Sequence, residues 1–150
     1  MKTLKTIQNY KHEAVIKRFN KEFKTDKGQQ VFEDLMIFFW ASKKHDLEKR
    51  QSPKNKKLSF FYIMDEEMRG IDQMWHLFLL YTKDYMCFCQ KYFGEYIHHV
   101  PDIVPGMKKQ TKRAFTQNLE RFLDYNYDLL GEKTIRRWFN HFSSNELINN

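Results

Sequence analysis

The sequence predicts an all-α fold, a single-domain bundle of five to seven helices. Its 150 residues fit one domain. Five Gly and three Pro are too few for the many turns of a β-sandwich or barrel of this length. Apolar residues recur at helical spacing in at least four segments. Aromatic residues make up 17% of the chain and supply the bulk of a core.

The N-terminal third predicts two helices. Apolar residues from Leu4 to Phe23 recur three, four and seven apart, which predicts one amphipathic helix from about Thr3 to Phe23, within a basic segment 1–24. Gly28 interrupts the pattern. From Val31 to Trp40 nearly every face is apolar, so this second helix is expected to be central.

Residues 43–57 have no apolar periodicity and contain Ser52-Pro53 among lysines, so they predict a mobile loop. The apolar run that follows, residues 58–64, fits either a short buried strand or the lead-in to a helix. Residues 58–142 are expected to form the helical core that carries the motif described below.

The middle of the chain predicts two helices. A short turn at the acidic residues 65–67 is followed by a main helix from about Ile71 to Tyr81. Thr82 can cap the next helix, from Lys83 to Phe93, and Gly94 occupies the position where a left-handed residue ends a helix.

The C-terminal part predicts an ordered loop and two further helices. Residues 95–107 contain two prolines and predict the loop. A long helix should cover about 109–130, with Phe115 facing inward and Gly131 as its stop, and a short helix about 134–142. The expected core comprises Phe19, Leu35, Phe38, Phe39, Trp75, Phe78, Leu79, Phe88, Leu119 and Phe122.

The net charge of +7 is unevenly distributed. Residues 1–57 carry 15 Lys and Arg against 7 Asp and Glu, whereas residues 58–150 carry 11 against 12. Such a basic segment is typical of a solvated face or of a surface for an acidic partner. No recognised nucleic-acid motif accompanies it, which argues against nucleic acid. An acidic protein contacting the basic N-terminal helix is therefore the partner considered; the sequence does not define the oligomeric state.

The cysteines and the apolar runs bear on the cellular compartment. Cys87 and Cys89 are too close in sequence to form a disulfide framework, which favours a reducing compartment. Charges throughout the first 19 residues leave no apolar signal segment. No apolar run approaches the roughly 20 residues that span a bilayer. A cytoplasmic protein is expected, or one exported by a route that needs no signal peptide.

Residues 71–101 carry a motif, IDQMWHLFLLYTKDYMCFCQKYFGEYIHHVP. Its elements are Asp72-x-x-Trp75-His76, Thr82, Tyr85, Phe88-Cys89, Phe93-Gly94 and His98-His99 before Pro101. This pattern resembles a family of small helical proteins called glycine-rich domain-containing protein-like, over roughly Val31 to Trp138. The resemblance implies a mostly α-helical domain without an agreed activity, and it directs attention to the Asp and His residues.

The spacing of Asp72 and His76 places both side chains on one face of a helix, one turn apart. With His98 or His99 they could bind a metal, zinc or iron, through nitrogen and oxygen ligands. Alternatively, Asp72 accepts a hydrogen bond from His76 and the pair fastens the histidine loop to the bundle. The main prediction is an interaction or adaptor protein with a structural Asp-His-His polar cluster; the alternative is a metal-binding protein or metal-dependent enzyme that uses Asp72, His76 and His98 or His99.

The other motif residues have simpler expected roles. Trp75 is expected to anchor the core, with its indole N–H bonded to one acceptor. Cys89 is either a small buried residue or a fourth metal ligand. Tyr85 and Gly94 are expected to be structural members of the motif. No nucleophile with a recognisable surrounding signature is present, so the sequence defines no reaction.

Overall fold

The computed structural model describes residues 1–62, 64, 66–100 and 111–140, and these form one all-α domain with no β-strand. Seven α-helices lie in the described part, as predicted. They are α1 (Leu4–Gln8), α2 (Glu13–Glu22), α3 (Gly28–Gln51), α4 (Arg69–Leu80), α5 (Thr82–Phe93), α6 (Lys112–Leu130) and α7 (Glu132–Asn140). Two 3-10 turns, Lys56–Leu58 and Glu66–Met68, precede the middle helices. Within these residues no helix has both the length and the apolar character needed to cross a bilayer.

Helix α3 is the central element, as its all-round apolar sequence predicts. It packs against α1, α2 and α4. Phe39 meets the Trp75 ring of α4 edge-on at 4.9 Å between ring centroids, and Phe38 meets Trp138 of α7 at 5.6 Å. The buried carboxylate of Asp34 also accepts two hydrogen bonds from Arg137 of α7. One helix therefore contacts both the N-terminal and the C-terminal parts of the bundle.

The predicted single helix over about 3–23 is wrong, because the structure has two helices with a break between them. His12 caps α2: its Nδ1 accepts the Val15 N–H at 3.2 Å, and its Nε2–H donates to Asp84 on α5 at 2.8 Å. The break also places the Tyr10 ring against Phe88, with centroids 4.8 Å apart. The local cap at His12 and the two tertiary contacts together favour the break over a continuous helix.

The predicted loop over 43–57 is also wrong in its first part, because α3 continues to Gln51. His45 is buried there and stacks on Phe60 at 3.9 Å, while its Nε2–H donates to the Leu58 carbonyl at 2.9 Å. Ion pairs one turn apart support the outer face, among them Arg50 with Asp46 at 3.0 Å. A polar sequence thus remains helical because one buried histidine takes the place of an apolar residue.

The segment after the 3-10 turn is neither strand nor helix over the described residues 59–62. Asn118 of α6 binds the Phe61 backbone at both its groups: its Oδ1 accepts the N–H at 2.8 Å and its Nδ2 donates to the carbonyl at 3.0 Å. Phe60 is buried, and Tyr62 donates to Asn126 at 2.5 Å. Asn118 therefore provides the backbone contacts that a neighbouring strand would otherwise supply, and Asn126 accepts the hydrogen bond of the Tyr62 hydroxyl.

The later helices follow the prediction closely, except that Thr82 does not cap α5: it is the first residue of that helix, and Tyr81 holds the N-cap position without a side-chain hydrogen bond. Helix α4 follows a short turn, α5 ends at Gly94 with φ 73°, and α6 ends at Gly131 with φ 86°. Both glycines have the positive φ that other residues rarely adopt. Helix α7 starts two residues before the predicted start. The predicted end of α7 at 141–142 and the loop residues 101–107 lie outside the described residues.

The predicted core is largely confirmed. Eight of its ten residues are buried, and Leu79 and Leu119 are partly buried against the same cluster. Phe115, which the α6 pattern predicts to face inward, is instead 40% exposed. The inward positions of the first half of α6 include Asn118, so a polar residue occupies the face that periodicity assigns to apolar side chains.

Candidate functional site

Asp72 and His76 lie on the surface side of α4, one turn apart, as their spacing predicts. The core side of the same helix carries Met74, Trp75 and Phe78, all buried. The Asp72 side chain is 26% exposed and that of His76 is 50% exposed. The helix therefore presents one half-exposed imidazole and one sheltered carboxylate at its edge.

His99 reaches the same place from the segment after α5. Consecutive side chains of an extended segment point in opposite directions. Here Ile97 is partly buried against the core and the His99 side chain is only 16% exposed. Tyr96 and His98 are exposed, and their rings contact each other with centroids 4.7 Å apart. The structure therefore brings His99 to α4 and leaves His98 out of the cluster.

The three side chains form a compact polar cluster. Asp72 Oδ1 lies 2.7 Å from His99 Nε2, a hydrogen-bond distance, while Asp72 Oδ2 lies 3.6 Å from His76 Nδ1. The two imidazole rings are 4.5 Å apart between centroids. One potential ligand atom from each residue lies within 4.8 Å of the others. The hydrogen bond that the structural alternative predicts for His76 is thus made by His99 instead.

A second set of contacts holds the His99 segment. The Trp75 indole N–H donates to the Tyr85 hydroxyl at 3.1 Å, and that hydroxyl donates to the Ile97 carbonyl at 2.5 Å. Burial raises the pKa of Tyr85, so its hydroxyl stays protonated and remains a donor. The Trp75 ring also meets the His99 ring edge-on at 4.4 Å. The expected structural roles of Trp75 and Tyr85 are therefore explicit: both orient the segment that carries His99.

An ion pair that sequence reasoning missed lies at the start of this segment. Lys43 of α3 pairs with Glu95, directly after the left-handed Gly94. Lys43 falls in the stretch predicted as a loop, so no fixed partner could be assigned to it. Continuation of α3 past residue 43 is what places its ammonium group against the segment.

Cys89 does not join the cluster. It is fully buried, and burial raises the pKa of its thiol. Its surroundings include Tyr85 and the Ile97 backbone, behind the segment that carries His99. Cys87 is exposed. The burial alternative for Cys89 therefore agrees with the structure, and a protonated thiol of this kind is a poor nucleophile.

The fold and the cluster together define an all-α domain with a carboxylate and two imidazoles gathered at the edge of one helix. A family model described as UCP032817-like matches residues 2–150, so the chain belongs to that family. This match includes the basic N-terminal helices, which the motif resemblance leaves outside. It supports the UCP032817-like family and does not support the glycine-rich domain-containing naming. Neither the curated proteins nor the solved structures contain a match to the chain.

Proposed function

We propose that this protein binds a divalent transition-metal ion, zinc or iron, through Asp72, His76 and His99. Two imidazole nitrogens and a carboxylate oxygen are ligand types that both metals accept. The observation that carries the proposal is the convergence of these three groups from two segments of the chain. Cys89 and His98 are not part of the proposed ligand set.

The spacing of the ligand atoms is close to what such a site needs. Ligands at about 2.0–2.2 Å from a tetrahedral ion are separated by about 3.3–3.6 Å. The distance from Asp72 to His76 is 3.6 Å, at the upper end of that range, and the distance from Asp72 to His99 is 2.7 Å, below it. Small rotations of the half-exposed His76 and of the carboxylate would bring all three atoms to one ion.

His76 supports metal binding over a purely structural cluster. The hydrogen bond between Asp72 and His99 connects the His99 segment to α4 without His76. His76 makes no hydrogen bond in the described part of the chain, yet its Nδ1 faces the same carboxylate. A half-exposed imidazole beside a sheltered carboxylate also leaves an ion a path from solvent. A fourth coordination position would be open to water, as in catalytic zinc sites.

The test is metal analysis of the full chain purified without a histidine tag, followed by titration with Zn²⁺ and Co²⁺. We expect one ion per chain and a Co²⁺ absorption spectrum of nitrogen and oxygen ligands. His76→Ala should abolish binding. His98→Ala is the matched control, because this exposed neighbour of His99 should leave binding unchanged. Failure of the wild-type protein to bind either ion, or equal loss in both variants, would refute the proposal.

An interaction function is the second candidate, and the basic N-terminal region supports it. Several exposed lysines in residues 1–27 have no ion-pair partner among the described residues. They are Lys2, Lys5, Lys17, Lys21, Lys24 and Lys27. The apolar side of α2 is used inside the bundle, so this surface offers charge without apolar contact area. An acidic protein is the partner that such a surface fits.

The test of the second candidate is the salt dependence of partner binding. A partner captured by the full chain should bind more weakly as ionic strength rises from about 50 to 500 mM, since exposed charges are screened over a few ångströms at high salt. Lys17→Glu with Lys21→Glu should weaken it further, whereas Lys54→Glu, outside the surface, should not. An affinity independent of salt would exclude the charged surface as the binding site.

A further inference from the structure

A cavity lies between the end of α3, the 3-10 turn at Lys56–Leu58 and the second half of α6. None of the proposed metal ligands lines it. Its volume is about 750 Å³. Pockets for small molecules commonly measure about 300–1,000 Å³. Leu58 and Leu129 contribute apolar surface to its lining. The cavity is therefore large enough for a small organic molecule.

Four of the charged side chains that line the cavity come from two elements, with two carboxylates on α6 and two ammonium groups on the 3-10 turn. Asp124 and Asp128 lie one turn apart on α6, so both carboxylates belong to one wall. Lys56 and Lys57 come from the 3-10 turn. None of these four side chains forms an ion pair anywhere in the described part of the chain. Two negative and two positive charges thus line the same space without neutralising one another.

The other charged side chains of the lining are already engaged. Glu48 pairs with Lys44 and accepts a hydrogen bond from the Tyr125 hydroxyl at 3.0 Å. Arg121 donates to the Ser59 carbonyl at 2.9 Å. These contacts hold the walls in place and leave the carboxylates of α6 and the two lysines available to a ligand.

We propose that this cavity binds a small zwitterion. Its cationic group would lie at Asp124 and Asp128, its anionic group at Lys56 and Lys57, and its aliphatic body against Leu58 and Leu129. A simple cation or anion would compensate one wall only. A molecule that carries both charges compensates both walls and displaces water from the apolar surface between them. The proposal is independent of the metal site.

The experiment uses the ω-amino acids as a ladder of charge separations. Glycine, β-alanine, 4-aminobutyrate and 6-aminohexanoate are titrated into the isotopically labelled full chain, and amide shifts are followed by NMR at up to about 100 mM ligand. Hexylamine and hexanoate are the matched single ions. We expect one chain length to bind best, roughly five-fold more tightly than either single ion, as one additional exposed charge contact allows.

Variants with one wall neutralised make the test specific. Asp128→Asn should remove the preference for the zwitterion and favour hexanoate, whereas Lys57→Gln should remove it and favour hexylamine. Asp26→Asn, an exposed carboxylate of the α2–α3 connection, is the control and should change nothing. Equal affinity for zwitterions and single ions, or no shifts on α6 at the highest concentration, would overturn the proposal. An unchanged preference in both wall variants would overturn it as well.

Discussion

The buried pair between Asp34 of α3 and Arg137 of α7 makes the strongest prediction about stability. Arg137 donates from Nε and from a terminal nitrogen to the two carboxylate oxygens, at 2.8 and 2.7 Å. Asp34 is fully buried, and its hydrogen bonds raise the pKa of the guanidinium. Arg137→Met would remove the guanidinium and both of its hydrogen bonds to the buried carboxylate. Breaking a buried pair in this way costs about 3–5 kcal/mol.

The lower end of that range applies here, because the Arg137 side chain is 27% exposed and water can reach the site once it is shortened. We therefore expect a loss of ~3 kcal/mol in the free energy of unfolding, measured by urea denaturation followed by circular dichroism. For a chain of this size the Tm should fall by roughly 6–12 °C. Arg137→Lys keeps the charge but not the two parallel hydrogen bonds, so its loss should be intermediate.

The adjacent arginine provides the control. Arg136 pairs with Glu132 one turn earlier on α7, and both side chains are largely exposed. Arg136→Met should change the free energy of unfolding by no more than about 0.5 kcal/mol. Equal losses in the two variants, or a loss below about 1 kcal/mol for Arg137→Met, would refute the assignment of this pair as the attachment of α7 to α3.

Three further predictions concern the loop, a buried histidine and the cluster. Limited trypsin digestion should cut after Lys54, beyond the end of α3, before it cuts after Lys49 inside the helix; the reverse order, read by mass spectrometry, would show the helix to open first. Burial lowers the pKa of His45, so as the pH falls through about 6.5 the unfolded chain takes up a proton before the folded chain does, and the protein loses stability. The urea midpoints at about pH 7.5 and 5.5 should therefore differ less in His45→Gln than in the wild-type protein. Tyr85→Phe removes the bond to the His99 segment and should weaken Zn²⁺ binding about 10–100-fold, whereas Tyr92→Phe, on the same helix, should not; equal affinities in the two variants would remove Tyr85 from the positioning of the cluster.

The helices that the sequence predicted well are bounded by local signals. Gly94 and Gly131 end α5 and α6 at positive φ, which is a property of the residue itself and needs no knowledge of distant contacts. The apolar spacing of α4 likewise predicts its buried face. These features depend on neighbours a few residues away, so a single sequence contains them.

The elements that the sequence did not predict depend on distant polar contacts. His12 starts a separate helix because it caps α2 and binds Asp84, 72 residues along the chain. Helix α3 continues past His45 because the buried imidazole stacks on Phe60 and donates a hydrogen bond to the Leu58 carbonyl. A polar residue contributes nothing to an apolar pattern, so periodicity places it on the surface whatever its partner. The same reason explains why Asn118 was not predicted to be buried: its partner is the Phe61 backbone, 57 residues earlier.

The choice between His98 and His99 shows how much of the candidate site the sequence contains. The spacing of Asp72 and His76 predicts their shared face, and two adjacent histidines predict a loop contribution. Because side chains alternate along an extended segment, only one of the two histidines can face α4.

Ile97 determines which histidine faces α4. It is the apolar residue of the segment and packs against the core, and the residue two positions later lies on the same side. That inference needs an extended backbone at 96–99, and the contact that holds this backbone is the hydrogen bond from Tyr85 to the Ile97 carbonyl. The sequence therefore contains the residues of the cluster and the apolar residue that selects His99, whereas the hydrogen bond that fixes the backbone of this segment depends on the fold.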